Sequence, residues 1–209
     1  MIAKLTWQGT LTAVQPRIRL TRSFDQRSHT YLGYVLTVTG VIGDEERSFT
    51  LGIGETAQAK HGFRVGDQVQ GECLPVVTPQ TEPAEFYKVS KLIVLERSAP
   101  ANPTPLPWMD TPPPLAEYRE RGHRRLATRT YDTACTGCMW GCRLAVEIIV
   151  DHWNPGKVRY RRETFCYGPK SCTLYKPGPT RKVPGRQGMT WVEEDWVDED
   201  AISHRGEDE

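Results

Sequence analysis

The stretch CTGCMWGCRLAVEIIVDHWNPGKVRYRRETFCYGPKSC, residues 135–172, holds five of the six cysteines of the chain. They form two groups around an apolar segment and are spaced Cys135-x2-Cys138-x3-Cys142 and Cys166-x5-Cys172. Two cysteines separated by two residues can bind one ion, because the turn between them points both sulfurs inward and backbone amides support the thiolates. In a reducing compartment such clustering indicates a metal site rather than disulfides.

A β-hairpin is predicted between the two cysteine groups. Apolar side chains alternate along residues 145–153, Asn154-Pro155-Gly156-Lys157 is typical of a type II turn, and residues 158–165 supply the return strand. A hairpin with cysteines at both bases brings four thiolates together, and on that ground the region resembles a zinc ribbon. It departs from the commonest ribbon because five residues separate the second pair and because Cys142 is a fifth candidate.

A structural Zn²⁺ ion bound by Cys135, Cys138, Cys166 and Cys172 is therefore expected, with Cys142 as a substitute ligand. Four thiolates leave no coordination position for water, so such an ion organises the fold and does not catalyse. The alternative is a [4Fe–4S] cluster held by the first three cysteines and one of the last two. Zinc is favoured because the hairpin explains the second pair.

Three other candidate ligands have simpler explanations. Cys73 falls in a predicted strand and is expected to be a small core residue. His123 and His152 are expected to be ordinary surface residues, because the first belongs to an arginine-rich stretch and the second lies near the hairpin tip.

The N-terminal half is predicted to consist of short strands separated by turns. Apolar residues alternate with a period of two around Leu36 and around Leu51. Strands are expected near 4–22, 31–38, 49–53, 68–74 and 87–96, with a brief helix over 55–61. This order, with the turn Phe63-Arg64-Val65-Gly66-Asp67, resembles an OB-fold over residues 1–97. An SH3-like or other small barrel is the alternative.

The segment SAPANPTPLPWMDTPPP, residues 98–114, is too rich in proline for a helix or a central strand. It predicts an extended spacer that holds the two halves apart. We therefore predict a mainly β protein in which a small OB-like β-barrel is joined by a Pro-rich linker to a zinc-ribbon-like β-hairpin module. The predicted segments are the barrel (1–97), the linker (98–114), a basic Cys-rich metal-binding module (115–187) and an acidic tail (188–209).

Charge is segregated along the chain, although the net charge is only +1. Residues 1–114 carry 11 Lys and Arg against 11 Asp and Glu. Residues 115–187 carry 15 against 6, a net charge of +9, and residues 188–209 carry 1 against 9, a net charge of −8. A neutral domain, a basic module and an acidic tail thus follow one another.

The basic module favours single-stranded DNA or RNA as a ligand, because arginine matches phosphate and the interleaved tyrosines can stack on bases. The alternative is that these runs are solvated faces. The candidate nucleic-acid-binding residues are Arg124, Arg125, Arg159, Arg161, Arg162, Lys170, Arg181, Lys182 and Arg186, with Arg17, Arg19 and Tyr31 in the N-terminal half.

The acidic tail carries Trp191 and Trp196 among its carboxylates. Because its charge nearly cancels that of the basic module, we expect it to lie across the basic face and compete with nucleic acid, so that deleting residues 190–209 would tighten oligonucleotide binding. Anchoring of a protein partner through the two tryptophans, or a solubilising role, are the alternatives.

The sequence contains no nucleophile elbow, phosphate-binding glycine loop or His-Glu metalloprotease motif. No apolar run approaches the roughly 18 residues of a membrane span and no leader pattern is visible, so a cytoplasmic protein that does not enter membranes is expected. We predict a non-catalytic nucleic-acid-binding protein with a structural metal and an autoinhibitory tail. The alternatives are an adaptor subunit of a larger protein assembly and an iron–sulfur redox or enzyme subunit.

Overall fold

A computed structural model describes residues 3–99 and 106–207 of the chain. Strands account for 46% of the structure and helices for 18%, which confirms the prediction of a mainly β protein. The strands are β1 (Leu5–Arg22), β2 (Arg27–Ile42), β3 (Glu45–Ile53), β4 (Gln68–Pro75), β5 (Phe86–Glu96), β6 (Arg124–Arg125), β7 (Gly141–Ile149), β8 (Val158–Cys166), β9 (Arg181–Pro184) and β10 (Thr190–Glu193). The helices are α1 (Glu55–His61), α2 (Leu115–Arg121), α3 (Thr128–Thr130, continued by a π-helical turn over Tyr131–Cys135) and α4 (Asp195–Ile202). Single 3-10 turns cover Pro79–Thr81 and Arg186–Gly188.

The first five strands form a closed circuit of backbone pairings. β1 pairs with β2 and β4, β2 with β3, and β4 with β5, all antiparallel. β3 meets β5 in a parallel bridge between Leu51 and Phe86, which completes the circuit. Gly33 on β2 has a φ of +129°, and a Cβ there would lie 2.0 Å from the carbonyl oxygen of Ile53, so only glycine fits where these backbones approach.

The two halves of the chain share one sheet and are not held apart as the sequence predicted. β1 is 18 residues long, and its last four residues, Arg19 to Arg22, pair in parallel with Ala145 to Ile148 of β7. β8 pairs with β7, and β6 with β8, so the sheet of the first half continues into the second. One apolar core contains buried residues of both halves, such as Leu36 and Leu144.

The proline-rich segment does not force separation, because its described part packs against the fold. The hydroxyl of Tyr34 on β2 donates to the carbonyl oxygen of Pro113 at 2.8 Å. The carbonyl oxygen of Trp108 accepts a hydrogen bond of 2.8 Å from the backbone of Met139. Residues 100–105 of the predicted linker lie outside the described residues, and the predicted domain boundaries stay a prediction.

The predicted hairpin is present, with a shifted first strand. β7 covers Gly141–Ile149 where the pattern predicted 145–153, and β8 covers Val158–Cys166. The backbone N–H of Lys157 donates to the carbonyl oxygen of Asn154 at 2.9 Å, which closes the predicted turn. Among the described helices, none has both the length and the apolar character needed to cross a bilayer.

Two histidine rings pack against each other where the halves meet. The rings of His29 on β2 and His123 lie 4.5 Å apart between centroids, and both contact Phe165. Burial, followed by the nearby charges of Arg27 and Arg22, lowers the pKa of His29 to about 4. Burial and the neighbouring His29 lower the pKa of His123 as well. Both rings are therefore neutral at neutral pH.

Mild acid should destabilise the protein because of this pair. Since the pKa of His29 is about 4 in the folded chain and 6.5 ordinarily, its contribution is complete above pH 6.5 and is lost as the pH falls towards 4. The complete loss for His29 alone is about 3 kcal/mol. Urea unfolding at about pH 7.5 and about pH 5 measures the difference. His29→Gln should reduce this difference in stability between the two pH values, and the exposed His152→Gln should leave it unchanged. The same difference in the parent chain and in both variants would contradict this origin.

Candidate metal centre and its surroundings

Four of the cysteines line one small cavity at the base of the hairpin. Cys135, Cys138, Cys166 and Cys172 surround a space of about 10 Å³. The other lining residues are Leu106, Pro107, Trp108, Leu126, Trp140, Gly141, Leu174 and Tyr175. The four residues that the sequence analysis selected as ligands therefore line a common cavity, but they do not form a compact ligating group.

Strand register positions the two cysteine pairs. Gly141 at the start of β7 pairs with Cys166 at the end of β8, so both bases of the hairpin lie side by side. The side-chain amide of Gln15 on β1 donates to the carbonyl oxygens of Cys135 and Cys138 at 2.9 and 2.8 Å. The hydroxyl of Tyr131 donates to the Gln15 side chain at 2.6 Å. The first cysteine turn is therefore held by a strand of the N-terminal half.

Backbone amides face the sulfur atoms. The N–H of Gly168 donates to Cys166 Sγ at 3.3 Å. The backbone of Trp140, Trp108 and Gly141 provides hydrogen bonds that lower the pKa of Cys138. Such donors stabilise a thiolate relative to a thiol and commonly surround metal-bound sulfur.

Burial nevertheless keeps these groups protonated in the chain by itself. It raises the pKa of Cys135 to about 12, with further contributions from Cys138, Cys166 and Cys172. It raises the pKa of Cys138 to about 11 and that of Cys166 above its ordinary range. A cation at the cavity would reverse this preference, because its charge stabilises thiolates that burial penalises.

Cys142 lies apart from this cavity. It is fully buried, its thiol donates to the carbonyl oxygen of Pro16 at 3.3 Å, and burial raises its pKa. The structure therefore does not place it as a fifth candidate beside the other four. Cys73 is also completely buried in the core, as predicted. Within residues 3–99 and 106–207, no three or more His, Cys, Asp or Glu side chains already form a compact group that could hold a metal ion.

The histidine predictions have opposite outcomes. His152 is exposed at the hairpin tip, as expected. His123 was expected at the surface, and this was wrong, because it is 8% exposed and packs between His29, Phe165 and Tyr167. Its arginine-rich neighbourhood gave no sign of burial, although the adjacent Arg124 and Arg125 are buried with it.

Most of the predicted nucleic-acid-binding side chains bind groups of this chain instead of forming one exposed surface. Arg161 and Arg181 both pair with the buried Glu163, and Arg17 pairs with Glu82. The complete set engaged with carboxylates or backbone carbonyls is Arg17, Arg19, Arg124, Arg125, Arg161, Arg162, Lys170 and Arg181.

The four remaining candidate nucleic-acid-binding residues lie at separate places in the structure. Tyr31 lies beneath the guanidinium of Arg119, 4.9 Å from the ring centroid. Arg159, Lys182 and Arg186 are exposed. Their side chains make no ion pair with the described residues. The high net charge of the basic module therefore arises largely from structural arginines.

The acidic tail is folded onto these arginines. β10 pairs with β9, and the buried Glu193 at its end bonds to Arg22 at 2.5 Å and to Arg27 at 3.1 Å. Burial acts to raise the pKa of Glu193, but Arg22 and its neighbours hold it below the ordinary value. Arg125, which is 0% exposed, is covered by two carboxylates of α4. Residues 208–209 of the predicted tail lie outside the described residues.

A polar cleft runs along the barrel surface beside the cysteine cavity. Its wider part, about 690 Å³, shares Leu106, Pro107 and Leu174 with the cysteine cavity. It continues into a part of about 290 Å³ that ends at Arg162. Both parts are lined by Thr37, Thr50, Tyr131 and Arg143.

Sequence reasoning missed Arg143 and the threonines of this cleft. Thr37 on β2 is paired in register with Thr50 on β3, whereas Arg143 comes from β7. Burial and the nearby charge of Arg143 lower the pKa of Arg162, whereas Glu82 acts to raise it, and Arg143 itself pairs with Asp132. These residues come from β2, β3 and β7, and β7 is far from the other two strands in the chain, so no motif spacing in the sequence links them.

Comparisons with models of protein families, with curated proteins and with solved structures found no match to this chain.

The two carboxylates on Arg125 should differ sharply in their contributions to stability. Asp198 Oδ2 lies 2.9 Å from Arg125 Nε and its side chain is 12% exposed, whereas Asp195 is 77% exposed. Asp198→Asn leaves a buried guanidinium without its enclosed partner and should cost about 3 kcal/mol of unfolding free energy. Asp195→Asn should cost at most about 1 kcal/mol. Equal losses in urea unfolding would contradict a docked tail.

Proposed function

We propose that this chain is a non-catalytic binding protein, stabilised by one zinc ion and directed at single-stranded nucleic acid. The convergence of Cys135, Cys138, Cys166 and Cys172 on one cavity carries the proposal. These four side chains would hold the ion, and when bound it would fix the hairpin base and the segment that follows β8. Four thiolates leave no open coordination position, so its chemistry there is structural.

The chemistry of the donor set fits zinc. The amides directed at Cys138 and Cys166 suit thiolates, and all four cysteines line one cavity. Cys142, which the cluster alternative needs as a third neighbouring ligand, bonds to Pro16 instead.

We further propose that residues 1–97 form an OB-type barrel and that the hairpin with its cysteine pairs is a ribbon-like module. The circuit of pairings β1–β2–β3–β5–β4–β1, with α1 between β3 and β4, supports the first assignment. The register of Gly141 with Cys166 supports the second.

The polar cleft is the proposed nucleic-acid site. Arg143 and Arg162 both line the cleft and supply positive charge for a phosphate group, although Arg143 also pairs with Asp132 and Arg162 donates to the carbonyl oxygens of Pro79 and Glu82. The hydroxyl of Thr37 on β2 can bond to sugars or base edges, whereas that of Thr50 on β3 already bonds to Glu85. The face of strands 2 and 3 is one where OB-folds bind oligonucleotides. The exposed Arg159, Lys182 and Arg186 would add long-range attraction.

The autoinhibitory role expected for the tail needs a different test from deletion. Arg125 is completely buried beneath Asp195 and Asp198, so deleting residues 190–209 would leave a buried charge unpaired. Single substitutions of exposed tail carboxylates change the charge without opening the core.

The metal assignment predicts one zinc per chain after purification without chelator, measured by elemental analysis and native mass spectrometry. Cys135→Ser and Cys172→Ser should each lower the zinc content strongly and lower thermal stability, because a thiolate ligand is lost. Cys142→Ser should keep a full complement of zinc, since its thiol lies outside the cavity.

Cys73→Ser is a second control of the same chemistry, because Cys73 is buried in the barrel core. Iron with visible absorbance, or protein that is folded and free of both metals, would refute the zinc assignment.

The cleft assignment predicts salt-dependent binding of an oligothymidine by the full chain, followed by fluorescence polarisation. Arg143→Gln/Arg162→Gln should weaken binding by about tenfold or more and reduce the slope of log affinity against log salt by about 1.4, since single strands contribute about 0.7 for each phosphate contact. Lys60→Gln/Lys176→Gln removes the same charge from exposed positions outside the cleft.

Equal losses of oligothymidine affinity in both double variants would show that the overall charge of the chain attracts the nucleic acid and that the cleft is not a binding site. No binding at low salt would remove nucleic acid from the proposal and leave the metal assignment intact.

A further inference from the structure

A second cavity lies between the β1–β2 turn and the acidic tail, away from the cysteines. Its volume is about 350 Å³. Three aromatic side chains line it, which are Phe24 from the turn and Trp191 and Trp196 from the tail. Trp196 is 54% and Trp191 38% exposed, an unusual position for two indoles so close in sequence.

The walls of this cavity are fixed by ionic and backbone contacts. The carboxylate of Glu193 bonds to Arg22 and Arg27 and so joins β10 to the ends of β1 and β2. The turn itself is closed by the N–H of Ser23, which donates to the carbonyl oxygen of Gln26 at 2.8 Å. Trp191 lies on β10 and Trp196 on α4, so the two indoles are held on neighbouring elements.

The charge of the lining is negative. Glu193 neutralises part of the charge of Arg22 and Arg27, whereas Asp25 and Asp200 form no ion pair with any described residue. Exposed Glu194 and Glu199 extend the acidic surface along α4. A phosphate-bearing ligand would be repelled here, so this cavity differs in kind from the polar cleft.

We infer that this cavity binds a lysine or arginine side chain presented by a basic peptide segment of a partner protein. Aromatic faces attract a cation through the ring quadrupole, most strongly for tryptophan, and the carboxylates of Asp25 and Asp200 complement its charge. The acidic face of α4 then meets neighbouring basic residues of the same peptide, which favours a peptide over an isolated small cation.

Fluorescence polarisation with the full chain and a labelled peptide of alternating glycine and arginine tests this inference. A matched peptide with citrulline in place of arginine keeps the shape and removes the charge. Trp196→Ala and Asp200→Asn should each weaken binding of the arginine peptide by about tenfold, and the citrulline peptide should bind at least about tenfold more weakly than the arginine peptide.

Two exposed residues outside the cavity supply matched controls. Trp153→Ala removes an indole that is 84% exposed on the hairpin, and Glu46→Gln removes an exposed carboxylate on β3, so both should bind the arginine peptide as the parent chain does. Circular dichroism confirms folding, and Trp191→Ala replaces Trp196→Ala if the latter unfolds.

Several results would overturn the inference. The first is a citrulline peptide that binds as tightly as the arginine peptide. The second is a loss of affinity in the control variants as large as that in the cavity variants, and the third is an unchanged affinity in Trp196→Ala. Loss of oligothymidine binding in Trp196→Ala would assign the surface to nucleic acid, and concentration-dependent self-association abolished by the same change would assign it to a second copy of this chain. These readouts measure the affinity for a peptide, so they test the tail cavity even if the metal assignment or the cleft assignment fails.

Discussion

The parallel pairing of Arg19–Arg22 with Ala145–Ile148 is the contact on which the rest of this structure depends. It extends the N-terminal sheet into the second half and sets where every later element can lie. Gln15, four residues before this pairing, reaches the cysteine turn, and Arg22, its last residue, reaches the tail. β1 therefore holds both the cysteine turn and the acidic tail.

The charges of this protein are arranged for internal neutralisation as much as for recognition. Removing arginine from water is costly, and the fold offsets that cost by enclosing Glu163, Glu193 and Asp198 among basic groups. The acidic tail is thus a structural partner of the basic module. What remains for ligands is a smaller and differently placed set of charges. The cleft holds two arginines that also contact Asp132 and backbone carbonyls, and carboxylates without an ion pair to any described residue lie beside the two indoles.

The three proposed sites differ in physical character, which allows each to be tested alone. The cysteine cavity is small and lined by thiols, and it would select by the affinity of sulfur for a soft or borderline cation. The cleft is broad and carries hydroxyl and guanidinium groups. The tail cavity is aromatic and acidic. A chain with these three surfaces could join a nucleic acid to a basic protein while a metal keeps its hairpin in place.

The sequence by itself determined the strands of the first half and the hairpin turn, and it pointed to four cysteines as candidate ligands, because side-chain alternation, turn chemistry and ligand spacing are local properties. It did not predict the short strands β6, β9 and β10. It could not determine that residues 19–22 would pair with residues 145–148, since a strand edge carries no mark of its distant partner. For the same reason it misjudged the linker, the exposure of His123 and the availability of Arg125. Burial and ion pairing are decided by contacts between segments far apart in the chain, and only the tertiary structure brings those segments together.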